Sequence, residues 1–185
     1  MRTLPDEALV ARTRAGDREA FGHLVERYQD QTLRYVRYMG FREADAFDIT
    51  QDAFVRAFRH LGRCGDPRRF GGWLFKIVSN LCRTAGRKQQ TQRLQDLESA
   101  SLVASDHNPQ EISETSSTKE RVRKAMDVLP PDQREALVLF YLRGHTLNEI
   151  VELTGASPSA IKMRLKRGRE RLKAELDPLF HEVYG

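Results

Sequence analysis

The sequence predicts an all-α protein made of two small helical domains joined by a flexible linker. Three observations carry that expectation. Apolar residues recur three and four positions apart through most of the chain, and no stretch alternates with period two for long enough to make a strand. Between residues 89 and 118 the character changes: Gln, Ser, Thr and acids dominate, Pro109 interrupts, and Leu94, Leu97, Leu102 and Val103 are too few for a packed domain. The chain has 185 residues, 39% hydrophobic and 31% charged, which suits two domains with modest cores better than a large sheet protein. The expected division is 1–88, a linker at 89–118, and 119–185.

The elements follow in order. A first helix is expected over Pro5 to Ala15, punctuated by Gly16 and Asp17, with Asp17 as N-cap of a long second helix. That helix carries Phe21, Leu24, Val25, Tyr28, Leu33, Val36 and Tyr38 to a stop at Gly40. A third runs from about Arg42 to Leu61. Gly62 to Gly72, with Gly65, Pro67 and Gly71 inside it, reads as a loop, and a fourth helix extends from Trp73 to about Arg87. After the linker the periodicity resumes at Lys119 and ends at Pro130-Pro131, and Pro131 and Asp132 open a helix over Gln133 to Leu142, stopped by Gly144.

The formal net charge of +5 makes a polyanion a plausible partner. The N-terminal segment carries Arg2, Asp6 and Glu7 without an apolar core, and the longest apolar run, Ala136 to Leu142, cannot span a bilayer. A cytoplasmic protein is expected. Cys64 and Cys82 are the two cysteines, which a reducing compartment leaves unpaired. His60 and Cys64 have the spacing to begin a zinc site, but no further ligand pair accompanies them, and neither metal nor cofactor is expected.

The C-terminal part holds the sharpest motif. Thr146-Leu147-Asn148-Glu149 matches a capping box, in which Thr hydroxyl and Glu carboxylate satisfy free backbone amides. The helix it starts ends at Gly155, where a residue without Cβ permits a left-handed turn. Ser157 and Pro158 then start the next helix as cap and first residue. Ile161 and Leu165 can face its partner, while Ser159, Lys162, Met163, Arg164, Lys166 and Arg167 occupy the outer surface, followed by Arg169, Arg171 and Lys173. Caps, turn glycine and basic helix in this order make a helix-turn-helix whose second helix enters a major groove. Thr146, Ser159, Lys162, Met163, Arg164, Lys166 and Arg167 are the expected contacts there.

Both halves together resemble the extracytoplasmic-function sigma factors, the smallest members of the sigma-70 family. Leu129 to Ala136 followed by Thr146 to Arg171 looks like region four, which in that family reads the minus-thirty-five promoter element. Asp48 to Phe58 is similar to the polymerase-binding helix of region two, and Phe70 with Trp73-Leu74 and Asn80-Leu81 is similar to the segment that opens the minus-ten element. The resemblance implies that Asp48, Gln51, Asp52, Phe54 and Val55 contact the β′ coiled coil of RNA polymerase core, with the β and β′ subunits of core as partners. It also implies a cognate anti-sigma factor. Acids one helical turn apart with apolar neighbours suit docking on a basic helix pair. Capturing an unstacked strand calls for aromatics beside a polar and basic face; Phe70 and Trp73 supply the first, and Lys76, Asn80, Arg83 and Arg87 the second. Thr84 stands where the family often carries Asp, and the usual arginine run is reduced to Arg83, Arg87 and Lys88.

The competing readings explain less. Glu43, Asp45, Asp48 and Asp52 could be a divalent-metal cluster of a nuclease, yet they lack a second ligand set. A stand-alone helix-turn-helix regulator leaves the acidic helix and the aromatics without a task. A sigma-mimicking interaction protein has no use for the basic helix. No nucleophile and base pair or phosphate-binding glycine loop points to an enzyme.

Overall fold

The computed structural model describes residues 4–99 and 114–184, and among these no strand occurs. Helix α1 (Asp6–Arg14), α2 (Arg18–Tyr38), α3 (Glu43–Arg59) and α4 (Phe70–Ser99) form the N-terminal domain. The C-terminal domain comprises α5 (Glu114–Asp127), α6 (Pro131–Leu137), α7 (Leu147–Thr154) and α8 (Pro158–Tyr184).

The first two boundaries follow the local chemistry. Asp17 accepts from the Ala20 amide at 3.2 Å, capping α2. Gly40 ends that helix with φ +90°, and the Arg134 guanidinium occupies the space a Cβ would need, donating from Nη1 to the Met39 carbonyl at 2.8 Å. A side chain at position 40 meets both the backbone preference and that guanidinium.

Four expectations are corrected. The stretch expected as a plain loop contains two 3₁₀ turns, Leu61–Arg63 and Pro67–Arg69, the second capped by Asp66 through the Arg68 amide at 3.1 Å. Helix α4 begins at Phe70 rather than Trp73 and continues past Arg87 to Ser99, because polar Gln and Arg positions sustain a helix as readily as apolar ones. Helix α5 starts at Glu114 rather than Lys119. The expected linker at 89–118 is therefore helical at both ends; residues 100–113, with Leu102, Val103 and Pro109, lie outside the described residues. Finally, Val138–Leu142 forms a π-helical turn continuing α6, which rotates Tyr141 and Leu142 out to solvent at 56% and 51% exposure.

The N-terminal core gathers Leu9, Val10, Leu24, Tyr35, Val36, Phe70, Leu74, Phe75 and Val78, all essentially inaccessible. The C-terminal core is built on Leu129, Leu137, Leu139, Ile150, Ile161 and Leu165. The two cores are continuous, since α4 packs against α7 and α2 against α5. Leu137 lies close enough to Gly168 that α6 and α8 meet backbone to side chain.

Candidate nucleic-acid and protein-docking surfaces

Three surfaces carry the expected functional residues. On α3, Ala46, Thr50, Ala53, Phe54 and Ala57 turn inward, a periodicity that leaves the opposite face free. That face presents Asp48 and Gln51, both exposed, with Val55 at 45% and Phe47 and Phe58 at 54% and 41% exposure. Asp52 is half-buried and pairs with Arg56 at 2.9 Å. Phe54 is a correction: at 7% exposure it belongs to the core and supports the docking face from below. Three of the acids with the spacing of a metal cluster turn to separate partners, Glu43 to Arg37, Asp52 to Arg56, and Asp45 to the Gln89 amide at 3.4 Å. Among the described residues no group of His, Cys, Asp and Glu could hold a metal ion.

The second surface is an open groove of about 300 Å³ between α3 and α4. Trp73, Ile77, Asn80, Leu81 and Thr84 line one wall, and Arg56, His60 and Arg63 the other. The last three were not identified from sequence; their only signal is helical spacing between Arg56 and His60, which needs the partner helix to acquire meaning. Trp73 is half-buried, its ring 5.9 Å from that of Phe70. Phe70 itself is fully buried, enclosed by Phe21, Tyr28 and Trp73 with ring centroids 5.6 to 6.5 Å away. Its expected DNA contact is corrected to a structural role: it fixes the Trp73 ring. Lys76 and Arg87 are exposed on α4. Arg83 instead points away from the groove, holding Glu135 of the other domain at 3.3 Å and Asn80 Oδ1 at 3.0 Å. Thr84 donates to the Asn80 carbonyl at 2.9 Å.

The third surface is the helix-turn-helix. The capping box forms as the sequence requires, Thr146 Oγ1 accepting from the Glu149 amide at 3.3 Å and the Thr146 amide donating to Glu149 Oε2 at 2.8 Å. Those hydrogen bonds hold the Glu149 carboxyl below the usual range. The Thr146 side chain thus acts first as a cap. Gly155 takes φ 71°, and Ser157 Oγ accepts from the Ala160 amide at 3.2 Å to start α8. On α8 Ile161 and Leu165 are buried against α7, while Ser159, Lys162, Met163, Lys166 and Arg167 face solvent. Arg164 departs from that set: it is half-buried, with Nε 3.1 Å from Asp132 on α6. At the turn before α7, burial lowers the proton affinity of His145; the Glu149 carboxylate opposes this, and Arg143 adds to it.

Cys64 and Cys82 are free, buried thiols. Burial raises the pKa of each, with Asp66 adding to it at Cys64 and Glu135 at Cys82, so neither is poised as a nucleophile. No described helix is long and apolar enough to cross a membrane.

Comparison with known proteins places both halves. Residues 24–92 match the family described as sigma-70 region 2, and residues 119–172 match sigma-70, region 4. The chain is 32% identical over 180 residues to RNA polymerase sigma factor CnrH of Cupriavidus metallidurans, covering 93% of this chain and 94% of that protein. It is 28% identical over 186 residues to the ECF RNA polymerase sigma-E factor of Escherichia coli K12, covering 95% and 96%. The solved structure of CnrH in complex with the cytosolic domain of CnrY aligns with a TM-score of 0.69 at 29% identity, over 94% of this chain and 97% of that one.

Proposed function

The chain belongs to the sigma-70 family, in its extracytoplasmic-function branch, and on that premise we propose how its three surfaces divide the work. It is an alternative sigma factor that binds RNA polymerase core and directs transcription initiation, and it is not an enzyme. The α3 face of Asp48, Gln51, Asp52 and Val55, extended by Phe47 and Phe58, docks on the β′ coiled coil of core. A central apolar cluster rimmed by acids provides burial together with charge complementarity to a basic partner.

The α3/α4 groove receives the separated strand of the minus-ten element. Unstacking costs a few kcal/mol per step, and a base stacked on the Trp73 ring returns about 1–3 kcal/mol. Lys76, Asn80 and Arg87, with Arg56, His60 and Arg63 on the facing wall, hold its phosphates and base edges, while Arg83 is turned to Glu135 and supports the far side of α4. Met163 and the exposed cations Lys162, Lys166 and Arg167 place α8 in the major groove of the minus-thirty-five element, with Ser159 near the entering end. Arg164 acts through Asp132 as a positioning residue, and the Thr146 cap sets the angle of α7 beneath it. The relative CnrH was solved with the cytosolic domain of CnrY, and by analogy a cognate anti-sigma factor regulates this chain, acting in the cytoplasm where core polymerase and promoters are found.

One observation supports this division above the others: an acidic-apolar face, an aromatic groove and a basic reading helix occur on one chain, in the order promoter recognition needs. A stand-alone regulator uses only the last. Added to core polymerase with fragmented genomic DNA, the protein is expected to initiate at a discrete set of start sites sharing two upstream elements. Failure to bind core in a pull-down overturns the division and returns the helix-turn-helix to a stand-alone regulator.

A further inference from the structure

The groove wall that faces Trp73 runs off the end of its helix. Arg56 stands on α3, but His60 closes that helix and Arg63 lies in the 3₁₀ turn Leu61–Arg63 that follows. So short a turn has few hydrogen bonds of its own, and the two turns of this connection are secured differently. The second is self-contained: Asp66 accepts from the Arg68 amide at 3.1 Å and from Arg68 Nε at 3.0 Å. The first has no side-chain cap. Its own bonds run from the Arg63 amide to the His60 carbonyl at 2.8 Å and from the Cys64 amide to the Leu61 carbonyl at 3.1 Å.

The group that secures the first turn comes from 47 and 50 positions away along the chain. Arg14, the last residue of α1, extends its guanidinium to the turn, where Nη2 donates to the Leu61 carbonyl at 3.0 Å and to the Cys64 carbonyl at 2.6 Å. Those two acceptors bracket Gly62 and Arg63, so a single nitrogen ties both ends of the turn. Beneath it the Leu61 and Cys64 side chains are buried, while His60 and Arg63 remain exposed. The base of the clasp is firm as well. Leu9 and Val10 bury α1 in the core, and Arg12 pairs with Asp17 at 2.7 Å across the helix end. Arg14 is not among the described residues that line the groove.

Resting on the groove reading above, we infer that Arg14 is a positioning residue for the minus-ten strand: by clasping the Leu61 and Cys64 carbonyls it fixes His60 and Arg63 opposite Trp73. The first helix thereby shapes a groove it does not line. The chemistry suits the task. A guanidinium is always charged, and its bonds to carbonyls are stronger than those between neutral groups. With the turn held in advance, a strand meets cations already in place; with the turn loose, binding has to order it and loses affinity.

Trp73 is the single tryptophan of the chain and lines the groove, so its fluorescence reports a strand entering there. The full-length protein is titrated with a mixed-sequence single-stranded 20-mer at several low salt concentrations, and bases stacking on the ring are expected to quench the native signal. Arg14→Ala, at an exposed position, is expected to keep its helical circular dichroism and to bind about tenfold more weakly, as for the loss of a hydrogen bond to a charged group. Its salt slope is expected to fall by roughly 0.7 for each of His60 and Arg63 that no longer meets a phosphate. A smaller folded fraction lowers the amplitude instead and leaves that slope unchanged.

In a His60→Ala, Arg63→Ala background, Arg14→Ala is expected to add no further loss, because the groups it places are gone. Arg14→Gln, too short to bridge both carbonyls, serves in the same way if the Ala variant does not fold. Undiminished binding by the folded variant, or a loss that adds in full to that of the doubly substituted background, overturns the positioning role. An unquenched native chain overturns it together with the strand-holding groove. The titration requires no polymerase, so a chain that fails to bind core yet loses strand affinity at Arg14 removes the sigma-factor reading alone. A chain that binds core while Arg14→Ala matches the native affinity removes the positioning role alone.

Discussion

Phe70 and Trp73 stand one helical turn apart on α4 and meet opposite environments. Phe70 is enclosed by Phe21, Tyr28 and Trp73, so its truncation to Ala leaves a cavity and is expected to lower stability by about 3–5 kcal/mol. Urea denaturation checks it, and strand opening by the folded variant falls as well, because the Trp73 ring loses the Phe70 ring that holds it. Lys162 is exposed on α8 and contributes little to folding. Lys162→Ala is expected to weaken duplex binding by about 1–3 kcal/mol if it reads a base; as a phosphate contact it instead reduces the salt slope by about one. Titrations at several salt concentrations separate these outcomes. For His145, burial holds the folded proton affinity below the unfolded value of 6.5. Above that pH the ring is neutral in both states and stability is unaffected; below it the unfolded chain takes up the proton more readily, and stability falls. Denaturation at about pH 7.5 and about pH 5.5 is expected to show a smaller acid loss for His145→Gln than for the native protein.

At the scale of elements, each surface depends on how its helix is started and supported. The capping box at Thr146 fixes where α7 begins, and Thr146→Ala is expected to cost about 1 kcal/mol of stability. Its effect on minus-thirty-five binding should track that loss, because the hydroxyl is committed to Glu149. Helix α3 behaves differently: on its outer face Phe58 packs on Phe21, whereas Val55 is exposed and lies outside the core. Val55→Asp leaves Phe54 and Ala57 packed and is expected to retain the melting temperature while abolishing capture by immobilised core polymerase. Loss of both together places Val55 in the fold rather than the interface. The π-helical turn at Val138–Leu142 leads directly into Arg143, whose guanidinium lies over the Phe75 ring.

At the scale of the molecule, two domains that need only modest cores have merged theirs through α4 and α7. Periodicity, caps and the glycine at position 155 determined the helices, and hence the all-α class and the helix-turn-helix, because those signals act between residues a few positions apart. Asp48, Gln51 and Val55 on a free face of α3 and the cations of α8 were legible for the same reason. The ends of the polar segment were not, since polar residues sustain a helix without an apolar stripe, and α4 runs to Ser99. Phe54 and Phe70 stand at motif positions that suit partner contact, but an aromatic in a motif carries no mark of which way it faces, and packing turns both inward. Arg56, His60 and Arg63 join Trp73 and Asn80 in one groove solely through the α3 and α4 contact. What the sequence determined by itself was the two-domain set of helices and their chemistry. The tertiary structure alone decided that Glu135 would find Ser79, Tyr35 and Arg83, because a buried carboxylate is satisfied by whatever donors the fold brings to it, and these lie 52 or more positions away along the chain.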